Sequence, residues 1–142
     1  MNYTIPATGV IYDLIDLQNA ITQKYRLALI HPRDLEGDMK TVFERISIET
    51  RKCRDELVEV MEENFELESQ AQLPDLLSTI ISSKDRKTIL AYCANDLREI
   101  LDVYAEVMAD ENINQTWKEI LSTQYTSLIK LYAHIRQFHD AQ

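Results

Sequence analysis

Apolar residues recur along most of the chain at alternating spacings of three and four positions, which is the pattern of one buried helix face. Four stretches carry such an apolar stripe, and they predict helices at about residues 9–31, 35–68, 83–109 and 113–139. Four helices of this length predict an all-α fold, an antiparallel four-helix bundle that forms a single domain over residues 1–142. In chain order, the stripes consist of Val10, Leu14, Leu17, Ile21 and Ala28; Phe43, Ile46, Cys53, Leu57, Val60 and Leu67; Leu90, Cys93, Leu97, Ile100, Tyr104 and Val107; and Trp117, Leu121, Leu128, Leu131, Ile135 and Phe138.

Prolines and capping residues predict where the helices begin and end. We expect the first helix to begin after Thr8-Gly9 and to end before Pro32, because the residue before a proline avoids the α-helical region. Asn112 and Gln115 have capping-box spacing and predict the start of the last helix. Pro74 opens a short extra helix, predicted over residues 74–81, between the second and third long helices. This longer connection either caps one end of the bundle or crosses over it.

Glycine is scarce, with 2 residues in a chain of 142. Average usage of about 7% would supply roughly ten. Tight turns and phosphate-binding loops consume glycine, so the composition disfavours sheets, Rossmann sites and P-loops. The composition therefore agrees with the all-helical prediction.

The charge of the chain excludes several classes of partner. Lys and Arg number 15 against 24 Asp and Glu, which gives a net charge of −9. Nucleic-acid binding needs clustered cations, and anionic membrane surfaces repel an acidic chain. The apolar runs are also far shorter than the roughly 20 residues of a membrane span. We therefore expect no nucleic-acid partner and no membrane association.

The chain start and the cysteines predict the compartment. Residues 1–6 lack the basic and apolar regions of a signal peptide. Cys53 and Cys93 stand alone, without a second cysteine or a histidine nearby, and we expect both to be buried as small apolar residues. These features predict a cytoplasmic protein.

A di-iron centre is the first chemistry to consider in a four-helix bundle. Such centres use a Glu on two helices and a Glu-x-x-His motif on the other two. The residues three positions before His31, His134 and His139 are Ala28, Leu131 and Arg136, and no Asp or Glu falls on a stripe. We therefore expect no enzyme activity, no cofactor, no metal and no carboxylate in the core. A weak alternative is a hard-cation site formed by four flanking carboxylates: Glu49, Glu56, Asp96 and Glu99.

Polar residues interrupt the stripes at four positions: Lys24, Thr50, Asn64 and Gln124. We expect internal hydrogen bonds that set the helix register, with Lys24 extending from the core edge to solvent. An alternative is a small-ligand site around Thr50 and Gln124, which would need a pocket of about 300 Å³ or more.

Some apolar residues fall outside the stripes, and they predict self-association. They are Ile15, Ile48, Phe65 and Ile129, with Tyr125 and Tyr132 at flanking positions. Adjacent exposed apolar side chains form contact patches, so we expect a homodimer or a higher homo-oligomer.

Several short segments, taken in order and spacing, resemble a known family over about residues 10–138. The segments are Leu14-Ile15-Asp16-Leu17-Gln18-Asn19 with Tyr25; Phe43-Glu44-Arg45, Thr50-Arg51 and Glu56-Leu57; Asp85-Arg86-Lys87-Thr88-Ile89-Leu90 with Cys93 and Tyr104; and Gln124-Tyr125 with Ile135-Arg136. In these the chain resembles the small bacterial ferritin-like four-helix-bundle proteins classed as a domain of unknown function. Two departures replace potential metal ligands: Leu97-Arg98, where the family tends to be acidic, and Tyr132, where a histidine is common.

The resemblance implies a ferritin-like architecture without iron chemistry, and the family implies no established activity. Together with the residues themselves, it predicts a non-enzymatic bundle that acts as a self-associating interaction or structural protein. The alternative is a degenerate ferritin-like protein that binds metal or handles oxidants.

Overall fold

The computed structural model describes residues 5–30, 37–61, 86–111 and 113–141. These ranges contain four α-helices and no strand, which confirms the all-α prediction. The helices are α1 (Ile5–Ile30), α2 (Gly37–Met61), α3 (Arg86–Met108) and α4 (Gln115–Asp140). The predicted short helix at 74–81 lies outside the described residues, as do the predicted end of the second helix at 68 and the start of the third at 83.

The first helix begins earlier than the sequence indicates. It starts at Ile5 instead of after Gly9, and Pro6 lies in its first turn. A proline is tolerated there because the first amides of a helix have no intrahelical partner, so the missing N–H removes no hydrogen bond. Gly9 is therefore an interior helical residue.

The last helix is capped by Asn114, so the predicted capping box at Asn112 and Gln115 is wrong. Asn114 has an extended backbone, with φ −75° and ψ 165°, and its Oδ1 accepts a hydrogen bond of 2.9 Å from the amide of Trp117. Both asparagines are suitable capping residues by type, and its extended backbone and hydrogen bond identify Asn114 as the cap.

Each helix packs mainly against two others: α1 against α2 and α3, and α4 against α3 and α2. Within the pair α1–α2, Asn19 contacts Arg54 and Thr22 contacts Thr50.

The core confirms the apolar stripes. Most stripe residues within the described ranges are buried, and five are half-buried: Val10, Leu17, Val60, Trp117 and Phe138. Ile15, expected at the surface, is 0% exposed, because α1 is buried over a wide face that also includes Ile11, Leu14 and Gln18. Ile48 and Ile129 are exposed as expected, at 54% and 40%.

Within the described ranges, no helix combines the length and the apolarity that crossing a bilayer requires.

Candidate functional site

The interior of the bundle contains polar side chains from all four helices. Those that are buried are Gln18, Asn19, Thr22, Lys24, Thr50, Asp96 and Gln124. Since buried polar groups cost free energy unless they are bonded, their partners decide what this interior can do. Four of them belong to two groups, which we call the ion-pair cluster (Lys24, Tyr25, Cys93, Asp96) and the amide–tyrosine chain (Gln18, Tyr104, Gln124, Glu56). The other three, Asn19, Thr22 and Thr50, lie in separate contacts between α1 and α2.

The ion-pair cluster joins α1 to α3. The Nζ of Lys24 lies 2.6 Å from Oδ2 of Asp96, and the hydroxyl of Tyr25 donates a 2.6 Å hydrogen bond to the same oxygen. The Lys24 ammonium also lies 5.5 Å from the centre of the Tyr25 ring. Lys24 is 2% exposed and Asp96 is 9% exposed, so the pair is removed from water. The carboxylate thus receives both an opposite charge and a hydroxyl donor.

Burial dominates the ionisation of the neighbouring acids in this cluster. It raises the pKa of Tyr25 well above 10, with the nearby Cys93 and Asp96 adding to the rise. Burial also raises the pKa of the Cys93 thiol to about 12, although contact with Tyr25 opposes part of this shift. Tyr25 and Cys93 are therefore neutral hydrogen-bonding groups at neutral pH.

The amide–tyrosine chain connects all four helices. Gln18 Nε2 on α1 donates to the hydroxyl of Tyr104 on α3 at 2.7 Å, and that hydroxyl donates to Oε1 of Gln124 on α4 at 2.5 Å. Gln124 Nε2 donates to α2 at two acceptors, the carbonyl of Cys53 at 3.2 Å and Glu56 Oε1 at 2.6 Å. One acceptor, Gln18 Oε1, is buried without a hydrogen-bond partner among the described residues.

Burial again controls ionisation around Tyr104. It raises the pKa of Tyr104 far above its usual value of 10, and the neighbouring Cys53 contributes to the rise. Burial raises the pKa of Cys53 to about 11, with a hydrogen bond to Tyr104 acting against it. Both cysteines are free and buried, as the sequence predicts. Their thiolates are scarce at neutral pH, which makes them poor nucleophiles.

Two further contacts hold α1 against α2. The hydroxyls of Thr22 and Thr50 lie 2.7 Å apart, and Thr50 also donates to the carbonyl of Ile46 at 2.7 Å. Arg54 Nη1 donates to Oδ1 of Asn19 at 2.7 Å. The two polar positions of the small-ligand alternative, Thr50 and Gln124, are therefore engaged in hydrogen bonds within the protein.

The four carboxylates of the metal alternative occupy different environments. Asp96 is buried against α1, and Glu56 is exposed but bonded to Gln124 of α4. Glu49 is half-buried and Glu99 is exposed. Because Asp96 and Glu56 face different neighbouring helices, the structure does not bring them together. Across the described stretches of the chain, no group of three or more His, Cys, Asp or Glu side chains could hold a metal ion.

Two expectations about the core are wrong. Asp96 places a carboxylate inside the bundle, although it falls between the stripe residues Cys93 and Leu97. Lys24 does not extend to solvent, because its ammonium is neutralised by Asp96 within the core. Each side chain taken alone is unfavourable to bury, and only the pairing of α1 with α3 brings the two charges together.

The histidines in the described ranges bond to other side chains. Nδ1 of His134 lies 2.5 Å from Nη1 of Arg45, and Nδ1 of His139 lies 3.1 Å from Oδ1 of Asp140. His31 lies outside the described residues.

Sequence reasoning missed two central members of these groups, Gln18 and Tyr25, as core hydrogen-bonding residues. Tyr25 lies four positions after the stripe residue Ile21, and Gln18 lies four positions after Leu14, so each continues a buried helix face. That spacing is the signal that could have placed them in the core.

We compared the chain with known proteins at three levels. No protein-family model, no curated protein and no solved structure matches it.

Proposed function

We propose that this chain is a non-enzymatic helical bundle with ferritin-like connectivity, a self-associating structural or interaction protein. The observation that carries the proposal is the mutual pairing of the polar groups inside the bundle. Lys24 pairs with Asp96, and Tyr104 links Gln18 to Gln124. A catalytic interior needs reactive groups that face a substrate, whereas these groups are taken up by bonds between helices.

The helix contacts support the ferritin-like part of the proposal. Contacts that run in opposite directions along α1–α2, α1–α3 and α2–α4 support antiparallel neighbours in the spatial order α1, α2, α4, α3. In that order α2 and α3 point the same way, so the end of α2 at Met61 and the start of α3 at Arg86 lie at opposite ends of the bundle. Parallel second and third helices are typical of ferritin-like bundles, in which one long crossover connects them.

Self-association is proposed from the exposed apolar side chains. Among the large apolar residues of the described helices, Leu27, Ile48 and Ile129 are exposed. Burying each of them in an interface gains roughly 1.5–3 kcal/mol. A two-fold dimer is the simplest assembly that would bury them. The free, buried thiols of Cys53 and Cys93 support a location of the protein in a reducing compartment, the cytoplasm.

Light scattering after size-exclusion chromatography tests self-association. The expected result is a mass of at least two chains, with self-association weakened by Ile48→Lys or Ile129→Lys. Ser127→Lys is the matched control, because it adds the same charge at an exposed polar position of α4. A monomer at every concentration contradicts the self-association part of the proposal.

The alternative is a degenerate metal-binding or oxidant-handling bundle, and the buried carboxylate of Asp96 is the observation in its favour. Metal analysis of protein incubated with Fe(II), Mn(II) and Zn(II) separates the two functions. We expect well below one equivalent of metal. Stoichiometric metal that is lost in Glu56→Gln or Asp96→Asn, but retained in Glu106→Gln, would favour the alternative.

A further inference from the structure

A shallow groove of about 100 Å³ lies between α3 and α4. Its polar lining consists of Asn95 and Arg98 from α3 and Tyr132, Arg136 and His139 from α4. Spacings of three and four positions place the polar residues of each helix on one face. The small side chains of Ala91 and Ala94 on α3 leave the space between the two faces. We call this feature the α3–α4 groove.

The lining of the groove is basic in a chain whose net charge is −9. Arg98, Arg136 and His139 place three basic side chains around one small space, together with the amide of Asn95 and the hydroxyl of Tyr132. This concentration of donors and basic side chains contrasts with the net negative charge of the chain and favours an anionic ligand.

The basic groups of the groove are weakly bonded within the protein. Within the described ranges, Arg98 donates one hydrogen bond of 3.4 Å to Asn95, and Arg136 lies 4.0 Å from Asp140. Oδ1 of the same Asp140 also lies 3.1 Å from Nδ1 of His139. By contrast, Arg54 on α2 makes three bonds of 2.7–2.9 Å to Asn19 and Asp55. The guanidinium donors of Arg98 and Arg136 therefore remain open to an external acceptor.

We propose that the α3–α4 groove binds a phosphate-type oxyanion, either inorganic phosphate or the phosphoryl group of a small ester. Guanidinium groups present planar pairs of N–H donors that match phosphate oxygens, and a phosphate monoester carries a charge of about −1.5 to −2 at neutral pH. Two arginines and a histidine together match the charge of a dianionic phosphate better than that of a singly charged carboxylate ligand.

The size of the groove limits the part of a ligand that it can hold to a small group. At roughly 30 Å³ per water molecule, the space corresponds to only a few waters, enough for one phosphoryl group. The acidic remainder of the surface repels a long polyanion such as a nucleic acid. The site therefore binds a phosphate head, and any remaining part of the ligand lies outside the groove.

Calorimetric titration of the full chain with inorganic phosphate and with a small phosphate monoester, at constant ionic strength, tests the proposal. The expected result is saturable binding that weakens about tenfold or more in Arg98→Gln and Arg136→Gln. Arg51→Gln is the control, because it removes the same charge from an exposed position on α2. Binding of both compounds supports free phosphate as a ligand, and binding of the ester alone assigns the site to phosphorylated metabolites.

Three outcomes would overturn the proposal: no saturable binding of either compound, an equal loss in Arg51→Gln, or equal affinity for acetate. A second measurement does not depend on the variants. Amide NMR shifts of the unmodified protein on phosphate addition should be largest around Asn95, Arg98 and Arg136. Shifts spread evenly over the surface would contradict a site in the groove.

Discussion

The ammonium of Lys24 and the carboxylate of Asp96 form an ion pair of 2.6 Å inside the bundle, between α1 and α3. Removing one partner leaves the other charge buried without its counter-ion, which typically costs about 3–5 kcal/mol. We therefore expect Lys24→Met and Asp96→Asn each to lower the free energy of unfolding by about that amount, measured by urea denaturation.

The double variant Lys24→Met/Asp96→Asn is the matched test of this interpretation. It removes both charges, and the Asn oxygen still accepts a hydrogen bond from Tyr25. We expect it to be more stable than either single variant, since replacing both partners of a buried ion pair by uncharged residues often changes the free energy of unfolding little. Additive losses in the double variant would show that the two residues act independently.

Tyr104 is the central residue of the amide–tyrosine chain, because its hydroxyl bonds Gln18 and Gln124. Tyr104→Phe leaves Gln18 Nε2 and Gln124 Oε1 without the hydroxyl that they bond and should lower the free energy of unfolding by about 1–3 kcal/mol. The control is Tyr125→Phe, whose half-buried ring lies 6.2 Å from the Tyr104 ring. Urea denaturation should give a change within about 0.5 kcal/mol for this control. Equal effects of the two variants would contradict the assigned role.

The raised thiol pKa values predict a loss of stability at alkaline pH. Well below pH 9 both thiols are protonated in the folded and the unfolded chain, so stability does not depend on their ionisation. Above pH 9 the unfolded chain releases protons that the folded chain retains up to about 11 at Cys53 and about 12 at Cys93. Each thiol should therefore lower the free energy of unfolding by about 1.4 kcal/mol per pH unit in its window.

Urea denaturation between pH 8 and 11 measures this slope. In Cys93→Ala the slope should be shallower by the contribution of one thiol, whatever the stability of the variant at pH 8. Both thiols should also react with a thiol reagent at neutral pH only as fast as the protein opens, since they are buried. Immediate labelling of the folded protein would contradict the burial.

Gly9 lies inside α1, and a β-carbon built on it meets no atom within 4 Å. Gly9→Ala should therefore stabilise the protein by about 0.5–1 kcal/mol, because alanine loses less backbone freedom on folding. Ala105→Gly, at an exposed position of α3, should cost a similar amount in the opposite direction. Thermal denaturation compares the two, and an unchanged midpoint for Gly9→Ala would contradict a helical Gly9.

The periodicity of apolar residues was sufficient to predict four helices, and two of their ends show where local signals fail. The predicted start after Thr8-Gly9 is wrong, because a proline in a first helical turn and a glycine in an interior turn are both tolerated. Asn112 and Asn114 are equivalent by residue type, and backbone geometry selects Asn114. The position of a helix end depends on a few hydrogen bonds, whereas an apolar stripe is a pattern over many residues. The stripe is therefore the more dependable signal.

The core hydrogen bonds were beyond sequence reasoning because each depends on a pair of helices. From the sequence alone, Lys24 is predicted to extend to solvent and Asp96 to lie beside the apolar stripe. Their burial is favourable only when α1 and α3 pack so that these two residues lie at the same level along the bundle axis. Likewise, Gln18 and Tyr104 are 86 positions apart in the chain, and neither indicates the other.

The sequence by itself determined the all-α class, most of the apolar core and the burial of both cysteines, because these follow from local periodicity and side-chain polarity. Only the tertiary structure decided which polar residues meet in the interior and which basic residues surround the α3–α4 groove. The physical reason is that a buried charge or amide is stable only beside a partner, and partners from distant segments become neighbours only when the helices pack.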